Sequence, residues 1–553
     1  MDYNRLADLL FPDVCESKED METRFPNRSL SEGAYVTRIG PSPTGFVHLG
    51  NLYNAVIAER LAHQSGGVFF LRIEDTDNKR EVPGAVETVI NAMSYFGVYF
   101  DEGAVVNGDN GSYGPYRQRQ RRGIYHVFAK WLVKHGMAYP CFLTAEELDA
   151  IRERQTLNKV NTGFYGEYAE VSRSLTLEQI AANLSAGKSW VLRYRGVMTN
   201  ERIRIQDAIR GELEMPRNDM DFVLLKSDGI PTYHFAHVVD DHLMRTTHIV
   251  RGEEWLPSLP MHIELFNAFG WQRPIFCHTA TLMKLEGTSK RKLSKRKDPE
   301  LALSYYQQEG ICPAALWEFL LGVLNSNFEE WRIANPGTDY LDFPFTLEKM
   351  SNSGALVDLE KLRSISKDVI AQMAPQDIYQ QWLSWCNAYN SQFSRLLSTY
   401  PDRTLAALQV GRSSSKPRKD LTSWKQACSF MSFYYEETFS VVDEMPVEVD
   451  RETLVSLIER YLANYDHADD PTTWFEKVKV ITQDLGFAIK PKDFKKNPDL
   501  YKGTIVHITN VLRIALTGRA NAPDIWEVSH VLGEPLVRFR LSKWIGNGSG
   551  PVK

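Results

Sequence analysis

The sequence predicts an α/β domain with a parallel sheet, interrupted by an inserted domain and followed by an all-helical region. Three observations predict this fold class. A strand-like run over residues 34–39 precedes a Pro/Gly-rich turn, a helical pattern and a second apolar run of strand length. Apolar runs of strand length resume only after residue 221. Beyond about residue 343, helical periodicity dominates.

The first half of the sheet is predicted from a change of period. Leu52, Val56 and Leu61 recur at helical spacing, and Gly66-Gly67 ends that helix. The apolar run over 68–73 then has the length of a buried strand. The order strand, turn, helix, strand is that of a parallel α/β sheet.

The later elements follow from the same patterns. Residues 112–221 hold an amphipathic stretch over 125–135 between polar connections, which indicates an inserted domain. The strands predicted for the second half of the sheet are 222–225, 247–250 and 275–282. The clearest helical patterns beyond them are 357–370, 454–462 and 505–516, and the tail 547–553 is predicted to be flexible.

Length and composition restrict the class of protein. A chain of 553 residues with 43% hydrophobic and 24% charged residues is typical of a folded, soluble protein of several domains. It has no stretch of about 20 apolar residues that could span a membrane. The first thirty residues are rich in acids, unlike a secretory or organellar targeting peptide. We therefore expect a cytoplasmic protein.

The net charge of −6 argues only weakly against nucleic acid as a partner, because phosphate binding requires a local basic surface. Three basic clusters occur, and each one alone is more simply interpreted as a solvated face. They are Arg117, Arg119, Arg121 and Arg122; Lys416, Arg418 and Lys419; and Lys490, Lys492, Lys495 and Lys496.

The turn after the first predicted strand reads PSPTGFVHLGN, residues 41–51. Ligands of open α/β sheets bind beyond the carboxyl ends of the strands, where helix N-termini offer backbone amides to phosphate. Gly45 and Gly50 allow the backbone to approach a nucleotide, and His48 can donate to phosphate oxygens. HxG alone is most often an ordinary turn with an exposed histidine. The prediction of a nucleotide site therefore depends on the full eleven-residue string, which is far more specific.

A strongly basic loop, 290–297, contains the string KLSKR at 292–296. Two lysines that flank a serine can reach a triphosphate and neutralise a leaving pyrophosphate. Alone, such a loop is more often solvated or in contact with nucleic acid. Its assignment to a triphosphate site therefore depends on its position after the PSPTGFVHLGN string.

Together the two strings resemble the HIGH and KMSKS signatures of class I aminoacyl-tRNA synthetases, in the correct order. Other segments between residues 34 and 297 are similar to glutamyl-tRNA synthetases. They are YVTRIGPSPTG, LRIEDTD, GPYRQ, PTYHFAHVVDDHLM, IVRGEEW and AFGWQRP. Two C-terminal strings, LVDLEKL and LRIALTGRANAPDIWEVSHVLG, resemble that family's stem-contacting segment and its final helical domain. The leader before residue 34 has no recognised counterpart.

The resemblance implies an α/β Rossmann-type catalytic domain with an inserted α+β acceptor-binding domain, followed by an all-α C-terminal anticodon-binding region. The expected boundaries are 1–33 for an acidic N-terminal extension, 34–111 and 222–285 for the two Rossmann halves, 112–221 for the acceptor-stem insertion, 286–360 for the KMSKS loop and stem-contact domain, and 361–553 for the helical anticodon-binding domains.

The activity that the resemblance implies is ligation of glutamate to tRNA(Glu). L-Glutamate reacts with ATP, with Mg²⁺ on the phosphates, and the glutamyl group of the adenylate passes to the 3′-terminal adenosine of tRNA. Catalysis rests on positioning and charge stabilisation by His48, Lys292 and Lys295. The expected partners are tRNA(Glu), L-glutamate and ATP, without a membrane, and the chain is expected to act as a monomer.

Selecting glutamate requires cations for its two carboxylates and an acceptor for its ammonium. The glutamate-binding positions implied by the resemblance are Arg38, Ser42, Glu74, Tyr233 and Arg251. Either arginine can make a bidentate contact, and Glu74 can hold the ammonium. His237 lies in the same pocket, at a position where some family members have asparagine; because histidine is bulkier and titratable, it is carried over only as a candidate.

The ATP-binding positions implied in the same way are Gly45, His48, Gly50, Asn51, Glu254, Trp255, Leu282, Lys292, Ser294 and Lys295. Family members with zinc have a CxC pair in the insertion, whereas Cys141 is followed here by Phe142 and Leu143. The six cysteines are scattered without any CxxC or CxC pair, so we expect neither zinc nor a disulfide framework.

Three alternatives are weaker. A glutaminyl-tRNA synthetase shares the catalytic domain but has a C-terminal part that resembles a β-barrel protein. A glutamyl-queuosine-type paralogue would lack the C-terminal half, and a silent RNA-binding descendant would be expected to lose residues such as His48 or Lys295. The sequence leaves open whether tRNA(Gln) is also charged, which residues contact the anticodon, whether activation requires tRNA, and what the N-terminal extension does.

Overall fold

The computed structural model describes residues 1–77, 82–412 and 417–546. The tail predicted to be flexible and Lys416 of the second basic cluster lie outside these residues. The chain forms two compact units. One comprises Met1–Tyr306 with Trp317–Asp358, and the other comprises Gln307–Leu316 with the described residues from Leu359 onward.

The strands of the described residues all belong to the first unit. In chain order they are β1 (Val36–Ile39), β2 (Val68–Leu71), β3 (Glu102–Val105), β4 (Gly108–Asn110), β5 (Ala138–Cys141), β6 (Val191–Tyr194), β7 (Arg202–Asp207), β8 (Gly211–Pro216), β9 (Val223–Leu225), β10 (His248–Gly252), β11 (Ile275–Thr279), β12 (Leu282–Glu286), β13 (Ser289–Lys292) and β14 (Ala355–Leu356).

Among the described residues, the helices are more numerous than the strands. In chain order they are α1 (Tyr3–Leu10), α2 (Lys18–Arg24), α3 (Leu49–Gln64), α4 (Ala85–Tyr95), α5 (Arg122–Lys134), α6 (Ala145–Leu157), α7 (Gly166–Arg173), α8 (Leu177–Ser185), α9 (Tyr233–Leu243), α10 (Leu259–Ala268), α11 (Leu303–Glu309), α12 (Pro313–Leu324), α13 (Phe328–Ala334), α14 (Leu359–Gln372), α15 (Pro375–Tyr389), α16 (Ser391–Thr399), α17 (Pro401–Gln409), α18 (Trp424–Phe430), α19 (Arg451–Asn464), α20 (Pro471–Asp484), α21 (Pro491–Lys496), α22 (Ile505–Thr517), α23 (Ile525–Leu532) and α24 (Glu534–Ser542).

Two sheets meet at the centre of the first unit. In one, β1, β2 and β3 are parallel, and β4 pairs antiparallel with β3. In the other, the strand order is β10-β11-β7-β8, with β10 parallel to β11. The backbone N–H of Thr247 donates to Val36 O at 2.9 Å, and the N–H of Val36 donates to Thr247 Oγ1 at 2.8 Å. β1 and β10 therefore lie side by side.

Two of the strand predictions need correction. The predicted strand 222–225 forms as β9, but it pairs antiparallel with β6 instead of joining β1 and β10. The predicted strand 275–282 is two strands, because β12 pairs with β13 and β14 in a separate sheet after β11 has ended at Thr279. In both cases a neighbouring strand, which local periodicity does not reveal, decides the pairing.

The N-terminal extension is a folded part of the first unit. Asp2 caps α1, and a reciprocal capping box at Ser17 begins α2. Leu6 and Met21 of these helices are buried, as is Phe25 just after α2, while most of the acidic residues are exposed; Glu22 is the exception, because it pairs with His242 and Arg245. The acidic composition of the segment is therefore that of an amphipathic surface layer.

The second unit is built from helices. Among the described residues from Leu359 onward, the named secondary-structure elements are all helices. The buried hydrophobic cluster of this unit includes Trp382, Trp424 and Ile508. Across both units, the described helices are all too short or too polar to cross a lipid bilayer.

Candidate active site

A cleft with about 870 Å³ of empty space opens beside the ends of β1 and β10. Five of the predicted glutamate positions line it, together with two of the predicted ATP positions. They are Arg38, Ser42, Glu74, Tyr233 and Arg251, with Asn51 and Trp255. His237 is fully buried and contacts Arg251 from behind instead of lining the cleft. The other predicted ATP positions do not line it.

His48 lies immediately before α3 and caps its N-terminus. The backbone N–H of Asn51 donates to His48 Nδ1 at 3.2 Å, and the N–H of His48 donates to Asn51 Oδ1 at 3.0 Å. This capping box satisfies N–H groups that a helix start leaves without partners. Because Nδ1 accepts a hydrogen bond, the proton of the neutral ring is on Nε2. His48 can therefore donate from Nε2 to a ligand.

Glycines allow side chains to lie close to this turn. A Cβ atom at Gly40 would overlap the carboxylate of Glu74, and one at Gly50 would lie 3.0 Å from His48 Nδ1. Larger residues at either position would displace a predicted site residue. Gly45 is exposed in the same turn.

The KLSKR loop follows the hairpin of β12 and β13. Arg291 makes a bidentate ion pair with Asp298, with Nη1–Oδ2 at 2.7 Å and Nη2–Oδ1 at 2.8 Å. The backbone N–H of Ser294 donates to Asp298 Oδ2 at 2.8 Å, which fixes the middle of the loop. Lys292 is exposed at the end of β13, and Leu282 is buried at the start of β12.

Lys295 links this loop to the turn before α3. Its Nζ lies 3.9 Å from the centre of the Phe46 ring, a cation–π contact. Burial is the largest cause that lowers the pKa of His48; the charge of Glu254 raises this pKa, and the charges of Lys292 and Lys295 lower it. The predicted catalytic residues therefore share one electrostatic environment.

Arg38 and Arg72 are buried side by side against one carboxylate. Arg38 donates to Asp241 through Nε at 2.9 Å and Nη2 at 3.1 Å. Arg72 donates to the same carboxylate through Nη1 at 2.7 Å, and to Glu74 Oε1 through Nη2 at 2.9 Å. One edge of the Arg38 guanidinium is therefore already paired. Its Nη1, which makes only a 3.4 Å contact with Val250 O, remains the group that can reach a ligand.

A second buried ion pair adjoins the first. Arg121 Nε donates to Asp240 Oδ1 at 2.6 Å, and Gln118 Nε2 and Tyr125 OH donate to Oδ2 at 2.9 and 2.8 Å. Arg121 is fully buried. The interpretation of its basic cluster as a solvated face is therefore wrong for this arginine, whose charge is compensated inside the protein.

Arg251 is held differently, by uncharged acceptors. Its Nε donates to His278 Nε2 at 3.0 Å, and its Nη1 contacts His262 Nδ1 at 3.1 Å and His237 Nε2 at 3.4 Å. The Tyr233 hydroxyl accepts a longer bond from Nη1 at 3.5 Å. Nη2 is buried without a partner, and no carboxylate of the described residues makes an ion pair with this arginine.

Comparisons with known proteins identify the family. The family model described as the catalytic domain of class I tRNA synthetases (E and Q) matches residues 34–363. A glutamate–tRNA ligase of Acetivibrio thermocellus is 54% identical over 545 residues, which cover 98% of this chain and 100% of that protein. The chain belongs to the glutamate–tRNA ligase family.

Other glutamate–tRNA ligases are similar over nearly the whole chain. The protein of Clostridium perfringens strain SM101 is 44% identical over 99% of this chain and 100% of its own length. Among solved structures, a glutamate tRNA ligase from Elizabethkingia meningosepticum in complex with its amino acid superposes with a TM-score of 0.75 at 27% identity. That match covers 93% of this chain and 99% of the other. The fold is thus that of glutamate–tRNA ligases.

Several residues that shape this cleft do not follow from the sequence patterns described above. Arg72 and Asp241 lie inside strings that carry the family resemblance. The adjacent Asp240 and Asp241, in an apolar helical stretch, are the sequence signal that indicates buried ion pairs. His262 and His278 lie outside those strings, and nothing in their local sequence indicates contact with Arg251. No group of three or more His, Cys, Asp or Glu within the described ranges is placed to hold a metal ion.

Proposed function

We propose that the chain activates L-glutamate with ATP and transfers the glutamyl group to the 3′-terminal adenosine of tRNA(Glu). The observation that carries this proposal is the Arg251 guanidinium, a buried cation in the cleft wall without a carboxylate partner among the described residues. Buried charges require compensation, and the side-chain carboxylate of glutamate would supply it. The names of the relatives agree with this choice of substrate.

The proposed glutamate site uses groups of both signs. Arg251 would bind the side-chain carboxylate, and Nη1 of Arg38, which makes only the long contact with Val250 O, would supply a second cation for the two carboxylates of the substrate. Glu74 would bind the ammonium: burial raises the pKa of its carboxyl, Arg72 opposes that rise, and a bound cation would favour the ionised form. Ser42 and the Tyr233 hydroxyl would add neutral hydrogen bonds.

Rejection of glutamine follows from the same charges. The side-chain amide of glutamine would leave the Arg251 guanidinium without an anion and would point N–H groups toward its donors. Breaking a buried charge pair in this way costs about 3–5 kcal/mol. A site built on such a pair discriminates well against the neutral analogue.

The proposed ATP site lies at the start of α3. His48 would donate from Nε2 to a phosphate oxygen, and Lys292 and Lys295 would neutralise charge on the leaving pyrophosphate. Mg²⁺ is proposed to arrive with ATP, bound to its phosphates. The remaining proposed contacts to the nucleotide are those of Gly45, Gly50, Asn51, Glu254, Trp255, Leu282 and Ser294.

The proposed chemistry needs no covalent protein intermediate. An oxygen of the glutamate α-carboxylate attacks the α-phosphorus of ATP, and the bond from that phosphorus to the pyrophosphate oxygen breaks. The 2′-hydroxyl of the terminal adenosine of tRNA then attacks the mixed anhydride and releases AMP. The protein would contribute positioning and charge stabilisation.

The tRNA contacts are proposed by domain. Residues 112–221 would bind the acceptor stem, 286–360 would contact the stem beyond it, and 361–553 would read the anticodon. We further propose that the protein acts as a cytoplasmic monomer without bound zinc, with 34–111 and 222–285 as the two parts of the catalytic domain.

The decisive experiment is ATP–pyrophosphate exchange with glutamate, glutamine or aspartate, each with and without purified tRNA(Glu) or tRNA(Gln). We expect exchange with glutamate alone among the amino acids. Exchange supported by glutamine and not by glutamate would overturn the proposed function. The tRNA arms also show whether activation waits for tRNA and whether tRNA(Gln) is a substrate.

A further inference from the structure

Arg251 contrasts with the other buried arginines around the cleft. Arg38 and Arg72 pair directly with Asp241, and Arg121 pairs directly with Asp240. Arg251 is as deeply buried, at 5% exposure, yet its acceptors are three imidazoles and a phenol. A buried guanidinium is ordinarily paired with a carboxylate, as in the neighbouring arginines, but Arg251 has no such pair among the described residues.

Two carboxylates each lie one imidazole away from Arg251. His278 Nδ1 is 2.7 Å from Asp207 Oδ2, and His237 Nδ1 is 2.6 Å from Asp241 Oδ2. An ionised carboxylate only accepts, so each Nδ1 carries the ring proton and each Nε2 offers a lone pair to Arg251. These carboxylates orient the imidazoles without touching the guanidinium.

His262 completes the set without a carboxylate. Its Nε2 lies 3.0 Å from His234 Nδ1, and its Nδ1 faces Arg251 Nη1 at 3.1 Å. With the proton on Nε2, His262 donates to His234 and accepts from the arginine, so a neutral ring makes both of its contacts.

Burial keeps these rings uncharged. It lowers the pKa of His237 to about 3 and that of His234 to about 4, and it holds the pKa of His262 well below its ordinary value. The charge of Arg251 acts in the same direction on all three. The histidines are therefore neutral acceptors at any pH near neutrality.

We infer that His237, His262 and His278 are specificity-determining positioning residues, which fix Arg251 through uncharged acceptors and so reserve its positive charge for the side-chain carboxylate of glutamate. This inference rests on the proposed function. A carboxylate in place of any of these imidazoles would satisfy Arg251 internally, and the cleft would lose its preference for an anionic side chain over a neutral amide.

The test compares matched substitutions at His262, where asparagine and aspartate have the same shape and differ in charge. Both place an oxygen near the position of Nδ1. Glutamate- and glutamine-dependent pyrophosphate exchange is measured with tRNA(Glu) present, on variants whose fold is checked by circular dichroism and thermal melting. We expect His262→Asn, which retains an uncharged acceptor, to keep the wild-type glutamate-to-glutamine ratio of kcat/KM within about fivefold, whatever its effect on the rate. We expect His262→Asp to raise the KM for glutamate. We expect the same variant to lower the glutamate-to-glutamine ratio of kcat/KM about 100-fold.

A second matched pair of variants, at His237, keeps the inference testable if the His262 variants do not fold. At His237, glutamine and glutamate both place their end atoms near Nε2, and the same contrast is expected between them. Folded aspartate or glutamate variants that discriminate as well as their amide counterparts would overturn the inference. Wild-type enzyme that shows no exchange with glutamate would instead overturn the proposed function, so the two failures are distinguishable.

Discussion

The Nζ of Lys295 lies 3.9 Å from the centre of the Phe46 ring, so a residue of the PSPTGFVHLGN turn holds a residue of the KLSKR loop. We expect Phe46→Leu to release this lysine and to slow pyrophosphate exchange about two- to fivefold, since a cation–π contact of an exposed lysine contributes about 0.5–1 kcal/mol. The KM for glutamate should not change. Phe46→Tyr retains the ring face and is the control; an equal loss in both variants would show that the ring face is not what matters.

Lys295 itself is expected to act on the triphosphate and not on tRNA. Lys295→Ala should slow adenylate formation at least about 100-fold, because it removes a cation from the leaving pyrophosphate. Binding of tRNA, measured by filter retention, should be nearly intact. Lys297→Ala is the matched control, because that lysine is exposed in the same loop and has no proposed contact. Near wild-type exchange in Lys295→Ala would remove this residue from the mechanism.

His48 has two roles that one substitution can separate. In His48→Asn the amide oxygen can replace Nδ1 as the helix cap, so we expect the free energy of unfolding to change by less than about 0.5 kcal/mol. The donor at Nε2 is lost, and exchange should slow by about 10²–10³. His48→Gln, which reaches the Nε2 position with an N–H, should recover part of the rate. If His48→Gln exchanged no faster than His48→Asn, donation from Nε2 would be contradicted.

The lowered pKa of His48 also gives a pH prediction. A ring with a lowered pKa is neutral above that pKa and gains its second proton only as the pH falls through it. The donating Nε2–H is therefore present throughout the range from about pH 7 to 9. We expect the His48-dependent part of the exchange rate, wild type relative to His48→Asn, to be constant over that range. A ratio that falls with rising pH would indicate a charged imidazolium.

Asp241 is expected to be the main electrostatic support of the cleft. Asp241→Asn leaves Arg38 and Arg72 without their shared carboxylate, so we expect a loss of about 3–5 kcal/mol in the free energy of unfolding. Asp149→Asn removes the exposed pair with Arg152, in which both side chains are 62% exposed, and should cost less than about 1 kcal/mol. Chemical denaturation measures both.

The contribution of Asp241 also depends on pH. Burial alone would raise the pKa of its carboxyl, but Arg38 and Arg72 hold it well below the ordinary value. A depressed pKa gives stability that is complete above the unfolded-state pKa and is lost as the pH falls through the folded-state pKa. The stability difference between wild type and Asp241→Asn should therefore be constant near neutrality and shrink only below about pH 4. A difference that grew on acidification would contradict the assignment.

Local patterns in the sequence predicted part of the fold, because period and turn chemistry are properties of neighbouring residues. The helix predicted from Leu52, Val56 and Leu61 forms as Leu49–Gln64, and the pattern over 505–516 forms as Ile505–Thr517. Strand pairing is not local, and β9 shows the consequence: its apolar run is visible, but its partner β6 lies in the segment predicted as an insertion.

The site shows the same division between local and distant information. His48 and the turn around it could be interpreted from one string, because the capping box lies within the four residues 48–51. Asp241 pairs with Arg38 across 203 residues, and His278 contacts Arg251 from the neighbouring strand. These contacts decide which edge of Arg38 is free and why Arg251 is not neutralised, and neither fact follows from residue type.

The ring of Phe25 lies 5.3 Å from the guanidinium of Arg121, which in turn holds Asp240. The N-terminal extension therefore supports the buried charge network from outside, although it does not line the cleft. A genetic selection for altered amino-acid use would accordingly recover substitutions in the extension as well as in the cleft. Laboratory evolution of substrate choice should randomise both segments together.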